Sequence, residues 1–282
     1  MNINELLYFR GLPQKAKIKL VRHQDKRYNL QNIQKLGYLE IYQSYQSEPV
    51  FECEYIVTFM GLENNKSKLI GVYKVEGRTE AKSIPLPEGF PEKYEIKDSD
   101  VYYTLTRVSG FEDIENRVVI DWGRGTLAWH QWLSEKNEAK EVIEILPKGY
   151  VSEFKGYVDC ILSYSDLTLI INNPNANCEW HRMLSAVAGI YLIVDGNTGK
   201  QYVGSAYGEN GILGRWRQYA KDGHGGNSQL KRLVESGCGY EQNFQYSILH
   251  TLPKTLTAIE VIKYELIFKE KLGSRAFGLN SN

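Results

Sequence analysis

Tyr191 and Tyr202 lie in Gly189-Ile-Tyr-Leu-Ile-Val-Asp-Gly-Asn-Thr-Gly-Lys-Gln-Tyr-Val-Gly204, a segment whose pattern predicts two short strands joined by a turn. Ile190, Leu192 and Val194 alternate with Tyr191 and Ile193, as in a half-buried strand, and Asp195 to Gly199 are residues that accept turn dihedrals. With the turn centred near Gly196 and Asn197, Tyr191 falls roughly opposite Tyr202, and phenols so placed share one face at about 5 Å between Cβ atoms. Two phenols held together can form a polar site; they are equally the aromatic cross-strand pair common in sheets. The next segment adds a cation. In Gly211 to Lys221, Ile212, Trp216 and Ala220 recur at helical spacing as a buried side, and Arg215 and Tyr219, one turn apart, project from its edge.

A carboxylate comes from the last helix. Thr257-Ala-Ile-Glu260 is a capping box that opens it, and Val261, Tyr264, Phe268 and Leu272 form the expected core-facing stripe with Glu265 in its middle. A carboxylate on an apolar face costs several kcal/mol if left alone, so Glu265 must be protonated, paired with a base such as arginine, or bound to a cation.

The elements that must position these groups follow from the chain in order. Residues 1 to about 110 read as strand-rich, a small sheet or barrel, with apolar runs at Ile18 to Val21, Tyr55 to Met60, Leu69 to Val75 and Val101 to Leu105. Lys15, Lys17, Lys19, Arg22, Lys26 and Arg27 form a basic cluster that can contact phosphate or serve as a solvated face. Trp122, Arg124, Trp129, His130 and Trp132 crowd one short span that suits either base stacking or a satellite core. Glu141 to Leu146 is strand-like, Pro147 marks a boundary, and two helices, Ser163 to Asn172 and Ala176 to Ala188, lead into the hairpin. Past the Arg215 helix come a flexible Gly223-His-Gly-Gly226 loop, a helix capped by Asn227, and a strand from Asn243 to Leu249.

Bulk properties narrow the classes. The 282 residues carry 34 basic and 34 acidic side chains, so a nucleic-acid partner does not follow from net charge, although from Gly189 onward eleven basic residues face eight acidic ones. Four scattered cysteines without a Cys-x-x-Cys indicate neither a zinc site nor a disulfide framework. No apolar run approaches the roughly 18 residues of a membrane span, and the N-terminus lacks a signal-peptide pattern, so a soluble, cytoplasmic protein without membrane contact is expected.

Taken in order, these residues resemble the GIY-YIG nuclease family: Gly189-Ile-Tyr191 and Tyr202-Val-Gly204, then Arg215 with Tyr219, His224 in the following loop, Glu265 in the last helix, and Asn280 in Gly278-Leu-Asn280. Val203 replaces the family's isoleucine. The resemblance covers 188–282 and implies an α+β chain: a small α/β nuclease domain with a three-stranded mixed sheet flanked by helices at 188–282, a helical connector at 148–187, and a strand-rich N-terminal domain at 1–147 that reads DNA. It further implies that Glu265 holds one Mg²⁺, or Mn²⁺ in its place, that Arg215 binds the scissile phosphate, and that Tyr191 is the general base or its relay. Tyr202 would position water or phosphate, Tyr219 and His224 would assist proton transfer, and Asn280 would fix groups around the metal. A phenol with a pKa near 10 needs a neighbouring Arg and metal to lower it before it can act as a base. The implied function is a Mg²⁺-dependent DNA endonuclease of restriction or genome-defence type, a homodimer on DNA being one way to cut both strands. Homing or repair nucleases, and a DNA-binding regulator with a silent nuclease fold, are the alternatives.

Overall fold

The computed structural model describes residues 1–90, 95–123, 128–133 and 139–280. The chain is α+β and divides into two compact units, Met1–Leu146 and Pro147–Asn282.

In the first unit the described elements run α1 (Ile3–Phe9), β1 (Ile18–His23), α2 (Leu30–Lys35), α3 (Leu39–Ser44), β2 (Tyr45–Gln46), β3 (Tyr55–Gly61), β4 (Lys66–Glu80), β5 (Val101–Arg107), β6 (Val118–Asp121), β7 (His130–Trp132) and β8 (Val142–Ile145). The eight strands form one sheet in the order β2-β5-β4-β3-β1-β7, with β6 joining β4 to β8. Only the β1–β3 pair among the described pairings is parallel. Asn64 and Asn65, both left-handed at φ 54° and 61°, turn β3 back into β4, as the polar Gly61 to Ser67 stretch predicts. The basic cluster of the sequence is split by the fold. Lys19 and Arg22 are buried in β1, where Lys19 donates to the Val50 carbonyl, while Arg27 pairs with Asp25 at the surface. Of the tryptophans, Trp122 is buried against Phe59, Trp129 packs on Phe51, and Trp132 remains partly exposed beneath the Lys19 ammonium. Arg124 lies outside the described residues.

The second unit comprises β9 (Ile161–Ser163), α4 (Tyr164–Asn172), α5 (Cys178–Ala186), β10 (Ala188–Asp195), β11 (Gln201–Ala206), α6 (Gly211–Asp222), α7 (Ser228–Glu235), β12 (Phe244–Leu252) and α8 (Ala258–Lys271). Its sheet has four strands rather than three, in the order β11-β10-β12-β9, and each pairing is antiparallel rather than mixed. The added strand, β9, falls in the stretch expected to be a connector. That stretch also supplies Leu162, Leu167, Ile170, Trp180 and Leu184 to the same core as Tyr191 and Trp216, so 148–187 is an integral part of the unit. Nor is β10 half-buried. One face carries Tyr191 and Ile193 into the main core, and the other places Ala188 and Ile190 with Val203, Leu252 and Val261 under α8. A central strand covered on both sides reads as nearly continuous apolar sequence, which Gly-Ile-Tyr-Leu-Ile-Val satisfies as well as alternation does. No described helix is long and apolar enough to cross a membrane.

Candidate active site

The hairpin register differs from the predicted one by a step of two. Asp195 and Lys200 close the turn, so Tyr191 stands opposite Gly204, and Tyr202 opposite Ile193. An even step keeps both phenols on one face, and their rings meet diagonally at 6.5 Å between centroids. Gly189 and Gly204, on the two strands of the hairpin, make this arrangement possible. A methyl group at Gly204 would lie 2.3 Å from the Tyr191 hydroxyl, and one at Gly189 would lie 2.5 Å from the His250 carbonyl of the neighbouring strand.

Helix α6 places Arg215 against this pair. Its Nε donates to the Tyr191 hydroxyl at 3.2 Å, one terminal nitrogen donates to the Tyr219 hydroxyl at 3.3 Å, and the other donates to Gln218. The Tyr191 and Tyr219 hydroxyls are themselves 3.0 Å apart, which closes a triangle of two phenols and one guanidinium. Burial opposes the guanidinium's charge, but the facing phenols of Tyr191 and Tyr219 outweigh it and raise its pKa. For Tyr191 the balance goes the other way. Burial first, and then the Tyr202 phenol, push its pKa above the ordinary value, and Arg215 recovers only part of the shift. Tyr219 is raised for the same leading reason. Arg215 by itself does not lower Tyr191 in this geometry: a fully buried oxygen loses more hydration on ionising than one arginine returns.

Helix α8 presents Glu265 from the opposite side, though not on a core-facing stripe. Only Val261 and Lys269 of the helix are buried, while Tyr264 and Leu272 are each 39% exposed, because α8 rests on the sheet along one narrow side. Glu265 lies on the flank next to that contact. One carboxylate oxygen is 2.7 Å from Nζ of Lys269, one turn along, and the other accepts from the Ser205 hydroxyl on β11. Of the three fates open to a carboxylate there, pairing with a base is realised, by lysine rather than arginine.

These groups line one open cleft of about 780 Å³, walled by Tyr191, Tyr202, Ser205, Arg215, Glu265, Lys269 and Arg275 among others. Tyr219, His224 and Asn280 are not in its described walls. Tyr219 reaches the cleft through Tyr191. His224 stays in its loop, where Nδ1 accepts from the Gly226 amide and the backbone amide is held by Asp222; its neighbour Gly225 packs against the Tyr219 ring. Asn280 binds backbone: its amide accepts from Val203 N at 2.9 Å and donates to Val203 O at 2.8 Å, which fastens the chain after α8 to the edge strand β11. Ser205, Gln218, Lys269 and Arg275 also belong to the cleft, and the sequence pattern does not single them out. For Lys269 a signal existed, since Glu265 and Lys269 have the i, i+4 spacing of a helical ion pair.

No family model matches this chain, and no curated protein matches it. Two solved structures do. A point mutant of the catalytic domain of the intron endonuclease I-TevI is 27% identical, over 34% of this chain and 94% of that one, at a TM-score of 0.29. The catalytic domain of the homing endonuclease I-TevI is 28% identical, over 33% of this chain and 96% of that one, at a TM-score of 0.28. Scores this low add nothing to the geometry of the cleft.

Proposed function

We propose that this chain is a DNA endonuclease that hydrolyses phosphodiester bonds with Mg²⁺, or Mn²⁺ in its place, as cofactor. The observation that carries the reading is the convergence of Arg215 from α6, Glu265 from α8 and the phenols of Tyr191 and Tyr202 from the hairpin on one open cleft. Phosphodiester hydrolysis builds negative charge on the phosphorus oxygens, and oriented donors repay it most where water is partly excluded. Arg215 is such a donor, its fork steadied by two phenols and Gln218 before any substrate arrives.

Glu265 is the residue to hold the cation. Mg²⁺ retains several waters and takes one or two carboxylates together with substrate phosphate oxygens, so a carboxylate beside the Ser205 hydroxyl suits it. Among the described residues no cluster of three or more His, Cys, Asp or Glu side chains offers a fully protein-made cage, which agrees with an ion that relies on water and phosphate. A cation held there would supply Lewis-acid polarisation of the phosphate and lower the pKa of a nearby water. Tyr191, kept neutral by burial, orients the attacking water and relays its proton, taking it on the hydroxyl oxygen as the phenol's own proton passes to a solvent water of the open cleft. Tyr202, diagonal to it, steadies the same water or the phosphate.

Phosphate contacts fix position without reading sequence. The cleft's cations Arg215, Arg275 and Lys269 address phosphate, so we assign target choice to the separate unit Met1–Leu146, as in a restriction or genome-defence nuclease. The test is cleavage of plain and base-modified plasmid with Mg²⁺ and with a chelator. Glu265→Gln is expected to abolish cutting while DNA retention in a gel shift stays within about twofold, because the amide keeps the packing and removes the cation's anchor. Full cutting by the variant refutes the assignment of Glu265. A wild-type chain that binds DNA and cuts none of these substrates identifies a regulator.

A further inference from the structure

Lys269 is only 4% exposed, yet it forms part of the cleft wall and places its ammonium 2.7 Å from the Glu265 carboxylate. It cannot drift away as a surface lysine does. The backbone around it is pinned, because its carbonyl accepts from the Ser274 amide at 3.1 Å and the Ser274 carbonyl accepts from the Asn280 amide. With the second oxygen of Glu265 accepting from Ser205, each oxygen of the proposed cation anchor already has a donor on it.

We infer that Lys269 is an internal counter-cation that competes with the divalent ion for Glu265 and yields only when a phosphate enters the cleft to receive the ammonium. The inference rests on the proposed function for the identity of the ion. Its physics is direct. A divalent ion on Glu265 would sit about 2 Å from the oxygen that Lys269 now holds at hydrogen-bond distance, and two positive centres so close repel strongly in a partly buried site. A phosphodiester in the cleft would change the balance, because its anionic oxygens would give the ammonium another acceptor. Arg215 and Arg275, on other walls of the cleft, draw the same anion in. Lys269 is thus a positioning residue that couples cation binding to substrate binding. The free chain holds the ion weakly, and the loaded chain holds it well.

The experiment is calorimetric titration of the full chain with Mn²⁺ at fixed neutral pH, with and without thymidine 3′,5′-bisphosphate as a minimal phosphate probe. For wild type the bisphosphate should tighten Mn²⁺ binding about tenfold or more. Lys269→Gln should bind Mn²⁺ about tenfold more tightly than wild type without the probe and gain little from it, whereas Lys269→Arg, which keeps the charge, should resemble wild type. Glu265→Gln combined with Lys269→Gln should lose the site, which assigns the ion to Glu265. Melting temperature reports a second readout: Mn²⁺ should raise it more in Lys269→Gln than in wild type. Equal Mn²⁺ affinity of wild type with and without the bisphosphate overturns the inference, and that arm needs no variant to fold. So does a folded Lys269→Gln whose affinity matches wild type. Neither readout involves turnover, so a chain that fails to cut DNA refutes the proposed function and leaves the competition at Glu265 to be decided by the titration.

Discussion

At the scale of single residues, the Tyr191 hydroxyl is the most constrained atom of the cleft. It shares one hydrogen bond with Tyr219 and accepts another from Arg215, and burial holds it neutral. Tyr191→Phe keeps the ring and its packing, and Arg215 still reaches Tyr219. Stability should therefore fall by about 1 to 3 kcal/mol, because the hydroxyl makes two hydrogen bonds and one of them comes from a charged group. Single-turnover cleavage should fall by about a hundredfold if the hydroxyl relays the proton. A variant that cuts at the wild-type rate with an unchanged pH profile removes Tyr191 from proton transfer. The residue types were legible in the sequence because tyrosine, arginine and glutamate stand out against apolar strands and helices. Their ionisation was not legible, since the direction of a pKa shift depends on whether burial or a neighbouring charge is larger, and only coordinates show both.

At the scale of elements, the cleft depends on where β11 lies. It is an edge strand, and Tyr202 and Ser205 both ride on it. Its free side is completed by the chain after α8: Leu279 N donates to Gln201 O, and the Asn280 amide imitates a peptide against Val203. Asn280→Ala would leave a buried backbone N–H and C=O of Val203 without those partners, which costs roughly 2 kcal/mol, and cleavage should drop through displaced Tyr202 and Ser205. The check is a melt together with a kinetic assay. Asn280→Asp should rescue neither, since a carboxylate cannot donate to the Val203 carbonyl. A variant as stable as wild type would mean that the edge holds without this clasp. Strands and helices here were predicted from periodicity and caps, and the capping boxes at Ser163 and Thr257 are both present. What periodicity could not supply was pairing. The hairpin turn was centred one residue early, which moved the partner of Tyr191 by two. The three-residue β9 was too short to show a period beside the strong cap that follows it.

At the scale of the whole molecule, the two compact units make separate predictions. A fragment of residues 147–282 contains its complete core, including the stretch once expected to be a connector, and should fold, cut DNA with Mg²⁺ at high concentration, and lose selectivity. An unchanged cleavage pattern for that fragment would take target choice away from Met1–Leu146. The first unit carries a pH dependence of its own. His23 is buried on β1 beside Gln43, and burial, only partly offset by that hydrogen bond, lowers its pKa from 6.5 to about 4. A folded-state pKa below the unfolded one means the neutral ring stabilises above pH 6.5, and this contribution is lost as pH falls towards about 4. The span from 6.5 to about 4 corresponds to roughly 3 kcal/mol. Melting temperature should decline across that window in wild type and decline less in His23→Gln; parallel curves would exclude His23 as the cause. The existence of two units was legible from the Pro147 break and the change from strands to helices. The make-up of the second unit's sheet, which takes its fourth strand, β9, from the stretch before β10, was not.

The clasp between Asn280 and Val203 also has a consequence for biosynthesis. Residues 77 positions apart must both have left the ribosome before β11 acquires its outer partner. Until then, Tyr202 and Ser205 sit on an edge with nothing alongside it. A nascent chain can thus display the hairpin, α6 and even Glu265 while its cleft is still unformed. Under the proposed function, polysome-bound chains and those cut short before Asn280 would lack this clasp on the strand that carries Tyr202 and Ser205.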